Sequence, residues 1–457
     1  MKHSKYEKNK DSGIAWLGDI PEHWKITKAK QIWQKESRPI RDEDEIVTAF
    51  RDGEVTLRKN RREDGFTISL KEIGYQGVRK DDLVIHQMDA FAGAIGVSDS
   101  DGKCTPVYSV CTPKIPANPH FYNLLLREMS RSKYILSLAK GIRERSTDFR
   151  FNMFGELEVP LLPKQEQTTI ANFLDYKTEK INRFIKKKKQ LIKLLNEQKA
   201  AIINKAVTKG LEPNAIMKDS GIEWLGKVPE HWKLNKIKNL ISKPVAGQWG
   251  KEVQKDENDI VCLRVADFKE LTVKEKGLTI RNIEPKEEQI LKFGDLLIEK
   301  SGGGEKTPVG RVVRFIHSFK AVTSNFVAKV SVNEDFVYSE YLLFAFKAIN
   351  NVRWNVRSVK QTTGIQNLDS YDYFDNWIYY PKKDEQKSII NFINKESDKI
   401  DKTISTIEKE ITLVEEYKTA LIAEAVTGKI DVRDFKIPKA ETPLAMVAEE
   451  AANYNKR

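Results

Sequence analysis

A chain of 457 residues is too long for one hydrophobic core, and about three domains are expected. With 32% charged and 40% hydrophobic residues it reads as globular protein carrying extended charged helices, and it holds no run of about 18 apolar residues that would span a membrane. The opening MKHSKYEKNK has no apolar stretch of the kind a secretion signal needs, and Cys104, Cys111 and Cys262 show neither paired nor metal-like spacing. A reduced, cytoplasmic protein with incidental thiols is the expectation. The net charge of +12 invites a nucleic-acid reading, so where that charge lies matters.

In chain order, residues 11–25 read DSGIAWLGDIPEHWK, and residues 219–233 read DSGIEWLGKVPEHWK, with twelve of fifteen positions identical. Each copy sets two tryptophans (Trp16 and Trp24; Trp224 and Trp232) around a Gly and a Pro-Glu-His turn. Segments this short do not fold alone and should dock as plugs on a larger surface. Between and beyond the plugs lie two blocks, 26–158 and 234–377, with short β-branched and aromatic runs broken by Gly, Asp and Asn. DLVIHQ (Asp82–Gln87) and DLLIEK (Asp295–Lys300) are predicted strands in equivalent positions, each followed by a small-residue loop and a second strand, AIGVS from Ala94 and VGRVV from Val309. Helical patches follow from Phe121 and Ser339. Outside these landmarks the two blocks do not align.

After the first block comes Glu166–Lys209, without Gly or Pro, and its echo begins 219 residues later at Glu385 and runs to Lys429. Apolar residues recur at heptad spacing at Ile181, Ile185, Ile192, Leu195, Ile202 and Ala206, and again at Ile400, Ile404, Ile407, Ile411, Val414, Leu421 and Ala425. Lys188 and Lys199 fall on the first seam, and Lys418 falls on the second. From Tyr176 to Lys205 there are ten basic and two acidic residues, whereas Lys395–Glu424 has five basic and eight acidic. Opposite charge on matching seams predicts that the helices pair with each other, with the Lys186–Lys189 run against the acidic helix, the DNA or a partner. Block 26–158 carries 22 basic against 20 acidic residues, so any nucleic-acid footprint there is a local patch. If the second helix ends beside the N-terminus, both halves become the same cyclic unit, a tandem pseudo-twofold repeat. The tail after Lys429 is expected to add one strand and then fray, with order ending near Lys439. The segments are thus 1–25, 26–158, 159–210, 211–233, 234–377, 378–430 and 431–457.

With the repeats laid out, the chain resembles the specificity subunit of a type I DNA restriction–modification system. The paired SGI-WLG--PEHW segments carry the resemblance, with the Pro-to-Glu-Gln start of each long helix (Pro163–Gln167; Pro381–Gln386), the AVT-Gly ends (Ala206–Gly210; Ala425–Gly428) and TGKIDVRDF (Thr427–Phe435). DLVI through AIGVS to TPVYSV (Thr105–Val110) resembles one class of target recognition domain. The resemblance covers essentially the whole chain. It implies an α+β protein in which two globular target recognition domains are separated by two long antiparallel coiled-coil helices. It implies a non-catalytic reader of double-stranded DNA, docked to two methyltransferase subunits and a motor-nuclease subunit. S-adenosylmethionine, ATP and magnesium then come through those partners, and none binds this chain. Helices of about 44 residues would make rods of roughly 65 Å, long enough to hold two readers on half-sites about one DNA turn apart. Since the blocks differ, the target should be split and asymmetric.

Candidate DNA contacts follow from arginine's fork and the amide and hydroxyl side chains beside it. In the first block they are Arg58, Lys59, Arg61 and Arg62, then Gln87, then Arg143, Arg145 and Arg150 around Ser146 and Thr147. In the second they are Lys300, Lys306, Arg357, Lys360, Gln361 and Thr362. Solvated basic turns are the bland alternative, chiefly for 58–62. SGGGEKTPVG (Ser301–Gly310) resembles a phosphate loop, but Glu305 stands where a Walker motif needs Gly before Lys306, so a flexible hairpin tip is expected. Asp295, Glu299 and Lys300 raise a metal-dependent nuclease as an alternative, although His86 and Gln87 stand at the equivalent first-block positions. A coiled-coil scaffold binding DNA without sequence preference is the other.

Overall fold

The structure, a computed structural model, describes residues 4–61, 72–138, 148–304, 307–362, 365–438 and 445–454. The chain forms two compact units, Met1–Lys189 with Glu408–Arg457, and Gln190–Ile407. Two long helices, the proximal Lys164–Lys209 and the distal Lys383–Val426, contribute one half to each unit. Within each unit the halves pack antiparallel. In the first, Lys188 pairs with Glu410 at 2.6 Å and Lys418 Nζ donates to Asn182 Oδ1 at 2.8 Å; in the second, Lys199 pairs with Asp401 at 2.6 Å. The charge complementarity read along the sequence is thus realised as contacts, and Lys188 does meet the acidic helix.

Ile181, Ile185, Ile400, Ile407, Ile411, Val414, Leu421, Ala206 and Ala425 are buried along these faces. Ile192, Leu195, Ile202 and Ile404 are only half-buried. Near the proximal helix end Ile203 and Val207 are buried instead of Ile202. There the helix turns its apolar side to Leu225, Val228 and Trp232 of the second plug, which moves the buried stripe one residue round the helix.

Both blocks share one frame. In the first, Leu83–His86 lies between Tyr108–Pro113 and Ile95–Val97, all antiparallel, with Trp33–Lys35 at the edge of the sheet. In the second, Leu296–Glu299 lies between Val327–Val330 and Val312–Arg314, with Val245–Ala246 at the edge. Helices Pro119–Arg131 and Ser339–Asn351 pack on these sheets through faces that bury Phe121, Leu125 and Met129, and Tyr341, Phe344 and Ala348. The aspartate opening each central strand is structural: Asp82 accepts from Arg38 and from Arg79 N, and Asp295 from Ser331 Oγ and Lys292 N. Beyond the frame the blocks diverge. The first adds the hairpin Val47–Ala49 with Val55–Leu57, while the second adds a three-stranded sheet in which Asp259–Leu263 runs parallel to Ala321–Thr323. Cys104, Cys111 and Cys262 are buried and free, and burial pushes the Cys104 thiol up to about 12 and that of Cys262 to about 11. No helix among the described residues is long and apolar enough to cross a membrane.

The tail departs from expectation. Asp431 forms a lone antiparallel bridge with Ser4, and beyond residue 444 the chain is helical over Ala445–Tyr454. Val447 and Ala451, four apart, are buried, and Glu450 accepts from Lys177 Nζ at 2.9 Å and from Tyr417 Oη at 3.2 Å. This apolar face is small and alanine-rich, so its periodicity is weak in the sequence, and packing on the long helices supplies its stability. A chain ending at Lys439 should lose about 1–3 kcal/mol in the first unit, read as a lower urea midpoint of that unit's transition; an unchanged midpoint would show that the helix contributes nothing.

Candidate nucleic-acid interface and its supporting seats

Each plug is a small hairpin, Asn9–Asp11 with Asp19–Pro21 and Met217–Asp219 with Lys227–Pro229. Its seat is the glutamate at the start of a long helix. Trp24 Nε1 donates to Glu166 Oε1 at 3.0 Å, and His23 Nε2 lies 2.8 Å from Oε2; Trp232 Nε1 and His231 Nε2 meet Glu385 at the same two distances. The first seat has a third donor, Tyr6 Oη at 2.7 Å, and burial followed by the Glu166 carboxylate pushes that phenol well up. The neighbouring glutamine does the second half of the work. Gln167, fully buried, accepts from Asn118 N at 2.7 Å, and Gln386 accepts from Tyr338 N at 2.9 Å, which fixes the first turn of each block's helix. The Glu-Gln pair therefore ties plug, block and long helix together at one point in each unit.

The other long helix closes each seat. Gly428 (φ +73°) abuts Pro21 and Trp24, while Gly210 (φ +70°) lies against Trp232 and Pro229, a left-handed residue at each helix end. Lys429 Nζ donates to Asp19 O at 2.5 Å, and Lys209 Nζ donates to Leu225 O at 2.8 Å and to Lys227 O. The distal helix thus returns to the N-terminal plug, and the cyclic repeat anticipated from sequence is present. Strand pairs complete it: Lys25–Lys28 with Glu158–Leu161, and Lys233–Lys236 with Trp377–Tyr380, so each block's two chain ends meet.

The candidate DNA contacts divide. In the first block, Lys59 pairs with Glu45 at 2.6 Å, while Arg61 donates to Asp52 at 2.8 Å and stacks on Phe50 at 4.2 Å. Arg58 Nε donates to Thr48 Oγ1 at 3.3 Å. This cluster is held largely within the chain, which favours the basic-turn reading for it. Gln87 donates to Pro106 O and Ser109 Oγ, and its backbone carbonyl accepts from Phe149 N. Arg150 is 70% exposed beside Asp148 at 2.6 Å. Arg62, Arg143, Arg145 and Lys306 lie outside the described residues, as does the side chain of Thr362.

The second block brings its candidates together. Val359–Thr362 pairs with Ile365–Leu368, which pairs in turn with Ser301–Gly302, so the glycine-rich run and the Arg357–Thr362 run form one small sheet. Lys360 is 75% exposed beside Asp369, and Gln361 is exposed. Arg357 stacks on Trp354 at 3.8 Å and pairs with Glu223 at 2.9 Å. Lys300 is half-buried, and desolvation lowers its pKa. Beside this sheet a cleft of about 790 Å³ is lined by Trp249, Arg264, Asn325 and Phe326. Arg281 lies over Trp249 at 4.8 Å. None of these residues stood out in the sequence, because an isolated Trp or Asn-Phe pair acquires meaning only from its spatial neighbours.

The nuclease constellation does not assemble. Three residues stand between Asp295 and Glu299, an extended rise of about 13 Å, and each acid is neutralised in place, Asp295 by Lys329 at 3.1 Å and Glu299 by Arg311 at 2.9 Å. Among the described residues no group of three His, Cys, Asp or Glu side chains is placed to hold a metal ion.

Two blocks on a common frame, each seated by a repeated plug and each packed with one stretch of the antiparallel long helices, form an architecture that is also found in type I restriction–modification specificity subunits. The comparisons with known proteins agree. No protein-family model matches the chain. It is 25% identical over 332 residues, 69% of this chain and 70% of the relative, to the type I restriction enzyme MjaVIII specificity subunit of Methanocaldococcus jannaschii. In fold it is similar, with TM-score 0.67 and 15% identity over 90% of this chain and 99% of the other, to a chain solved in work on complex assembly and conformational transition of the type I R-M system. The HsdS subunit from Thermoanaerobacter tengcongensis gives a TM-score of 0.49 at 15% identity over 90% of this chain and 98% of that one. The resemblance read from the sequence is therefore met in a curated relative and in fold.

Proposed function

We propose that this chain is the DNA-recognition subunit of a type I restriction–modification complex, reading a split, asymmetric site with two different recognition blocks. The observation that carries this reading is the doubled seat: equivalent glutamates and glutamines hold equivalent frames, while the surfaces mounted on those frames differ. A shared frame with divergent surface is what two readers of unlike half-sites require. The long helices then set the spacing and offer docking surfaces for two methyltransferase subunits. Chemistry rests with those partners, which bring S-adenosylmethionine, and with a motor-nuclease subunit that uses ATP and magnesium; the setting is the cytoplasm.

Within the second block the hairpin Val359–Thr362 with Ile365–Leu368 is the foremost base reader, because Gln361 on it is exposed and an amide can pair bidentately with adenine. Gln361→Ala should weaken binding by about 1–3 kcal/mol at one half-site and leave substitutions in the other half-site with their wild-type cost. Competition binding at fixed salt, with duplexes altered in each half in turn, checks this. An equal loss for every sequence would make the hairpin a phosphate grip, and no loss at all would remove it from the interface.

A further inference from the structure

Arg127 and Lys418 lie side by side in the first unit and form no ion pair among the described residues, whereas the second unit sets carboxylates against its equivalent cations. The shared seats put the two units in one sequence register. Asn118 and Tyr338, whose N–H groups meet Gln167 and Gln386, put Arg127 on the helix Pro119–Arg131 in register with Lys347 on Ser339–Asn351. The seam offset of 219 residues puts Lys418 in register with Lys199, and Asn182 with Asp401.

In the second unit the chain itself supplies the acids, through Lys199. Lys199, 14% exposed, holds Asp401 at 2.6 Å and Glu270 at 3.6 Å, beside the half-buried Lys347. In the first unit Asn182 stands in register with Asp401, and Lys418 Nζ donates to its amide oxygen at 2.8 Å and forms no ion pair among the described residues. Arg127 forms no ion pair among the described residues, and its buried Nε has no acceptor. The acids nearby are already engaged: Asp52 with Arg61 at 2.8 Å and Glu128 with Arg131 at 2.8 Å, leaving Glu415 one turn along the helix from Lys418.

The space is open and built. Arg127 and Lys418 line a cleft of about 530 Å³, with Arg51, Arg131, Phe91 and the arginine-paired Asp52 and Glu128 among its walls. Gly53 (φ +91°) has no side chain where the Arg127 guanidinium lies, and a Cβ there would sit 2.2 Å from Nη1. Desolvation lowers the pKa of both cations, and Arg127 lowers that of Lys418 further.

We infer that this cleft of the first unit binds an oxyanion, a carboxylate or phosphate group supplied by another molecule, in the place that Asp401 and Glu270 fill in the second unit. The full chain is melted in chloride at constant ionic strength, with increasing inorganic phosphate in one series and succinate in another. Wild type should show a saturable rise in Tm of about 2–4 °C with one of the two, and the effective series identifies the group. Asn182→Asp, which supplies the missing carboxylate, should melt higher than wild type in chloride alone and lose the anion response; Lys418→Met should lose the response as well. A wild-type response that is absent from both series overturns the inference. So does one that fails to saturate or persists undiminished in Asn182→Asp.

Discussion

Replacing Glu166 with Ala costs the first unit about 3–5 kcal/mol and releases the N-terminal plug. The carboxylate is 6% exposed and serves Tyr6 Oη, Trp24 Nε1 and His23 Nε2 together. Its loss strands donors in a packed site, where each unsatisfied group costs about 1–3 kcal/mol. The plug leads directly into the strand Lys25–Lys28 that closes the first block, so the disturbance spreads to the block's base. Glu385→Ala should cost less, since that carboxylate is 28% exposed and, among the described residues, is held by two donors, His231 and Trp232, rather than three. Urea unfolding of the two variants checks the ranking: a larger loss for Glu385→Ala, or a loss below about 1 kcal/mol for Glu166→Ala, would mean that plug packing rather than the carboxylate holds the seat.

Exchanging the second block for one from another specificity subunit should replace one half of the recognised motif and leave the other half and the spacing unchanged. The structure favours such an exchange because the block's chain ends meet as neighbouring strands, with Leu234 opposite Tyr379 and Asn235 opposite Ile378. Joints placed just inside that strand pair keep its register and leave Glu385 and Gln386 in place to receive the helix of the incoming block. The methylation motif of the hybrid, expressed with its methyltransferase, is the readout. A motif changed in both halves, or in neither, would refute modular reading.

Local signals in the sequence were enough for the skeleton. The twin plugs, the heptad seams, the central strands Leu83–His86 and Leu296–Glu299 and the pairing of the long helices rest on repetition, periodicity and charge, which one chain displays without help, while the antiparallel sense of that pairing came with the family resemblance. The seats were half legible. Pro-to-Glu-Gln was visible as a repeated string, yet that Glu166 would bind a tryptophan 142 residues earlier depends on the fold. The same holds for the basic clusters: Asp52 and Glu45, which occupy Arg61 and Lys59, are set by hairpin geometry rather than by spacing. The sheet joining Ser301–Gly302 to Ile365–Leu368 spans some sixty residues and had no signature. The shift from Ile202 to Ile203 shows tertiary packing overriding a heptad, because the plug core outweighs the partner helix at that turn.

The central claim is that two unlike blocks on one doubled frame read two unlike half-sites. It is tested most directly by sequencing that detects modified bases, in a host carrying this chain and a methyltransferase partner and in the same host without the chain. The account predicts one bipartite, non-palindromic motif, methylated only when the chain is present. Methylation that is the same with and without the chain, or a motif that is continuous or palindromic, would contradict it.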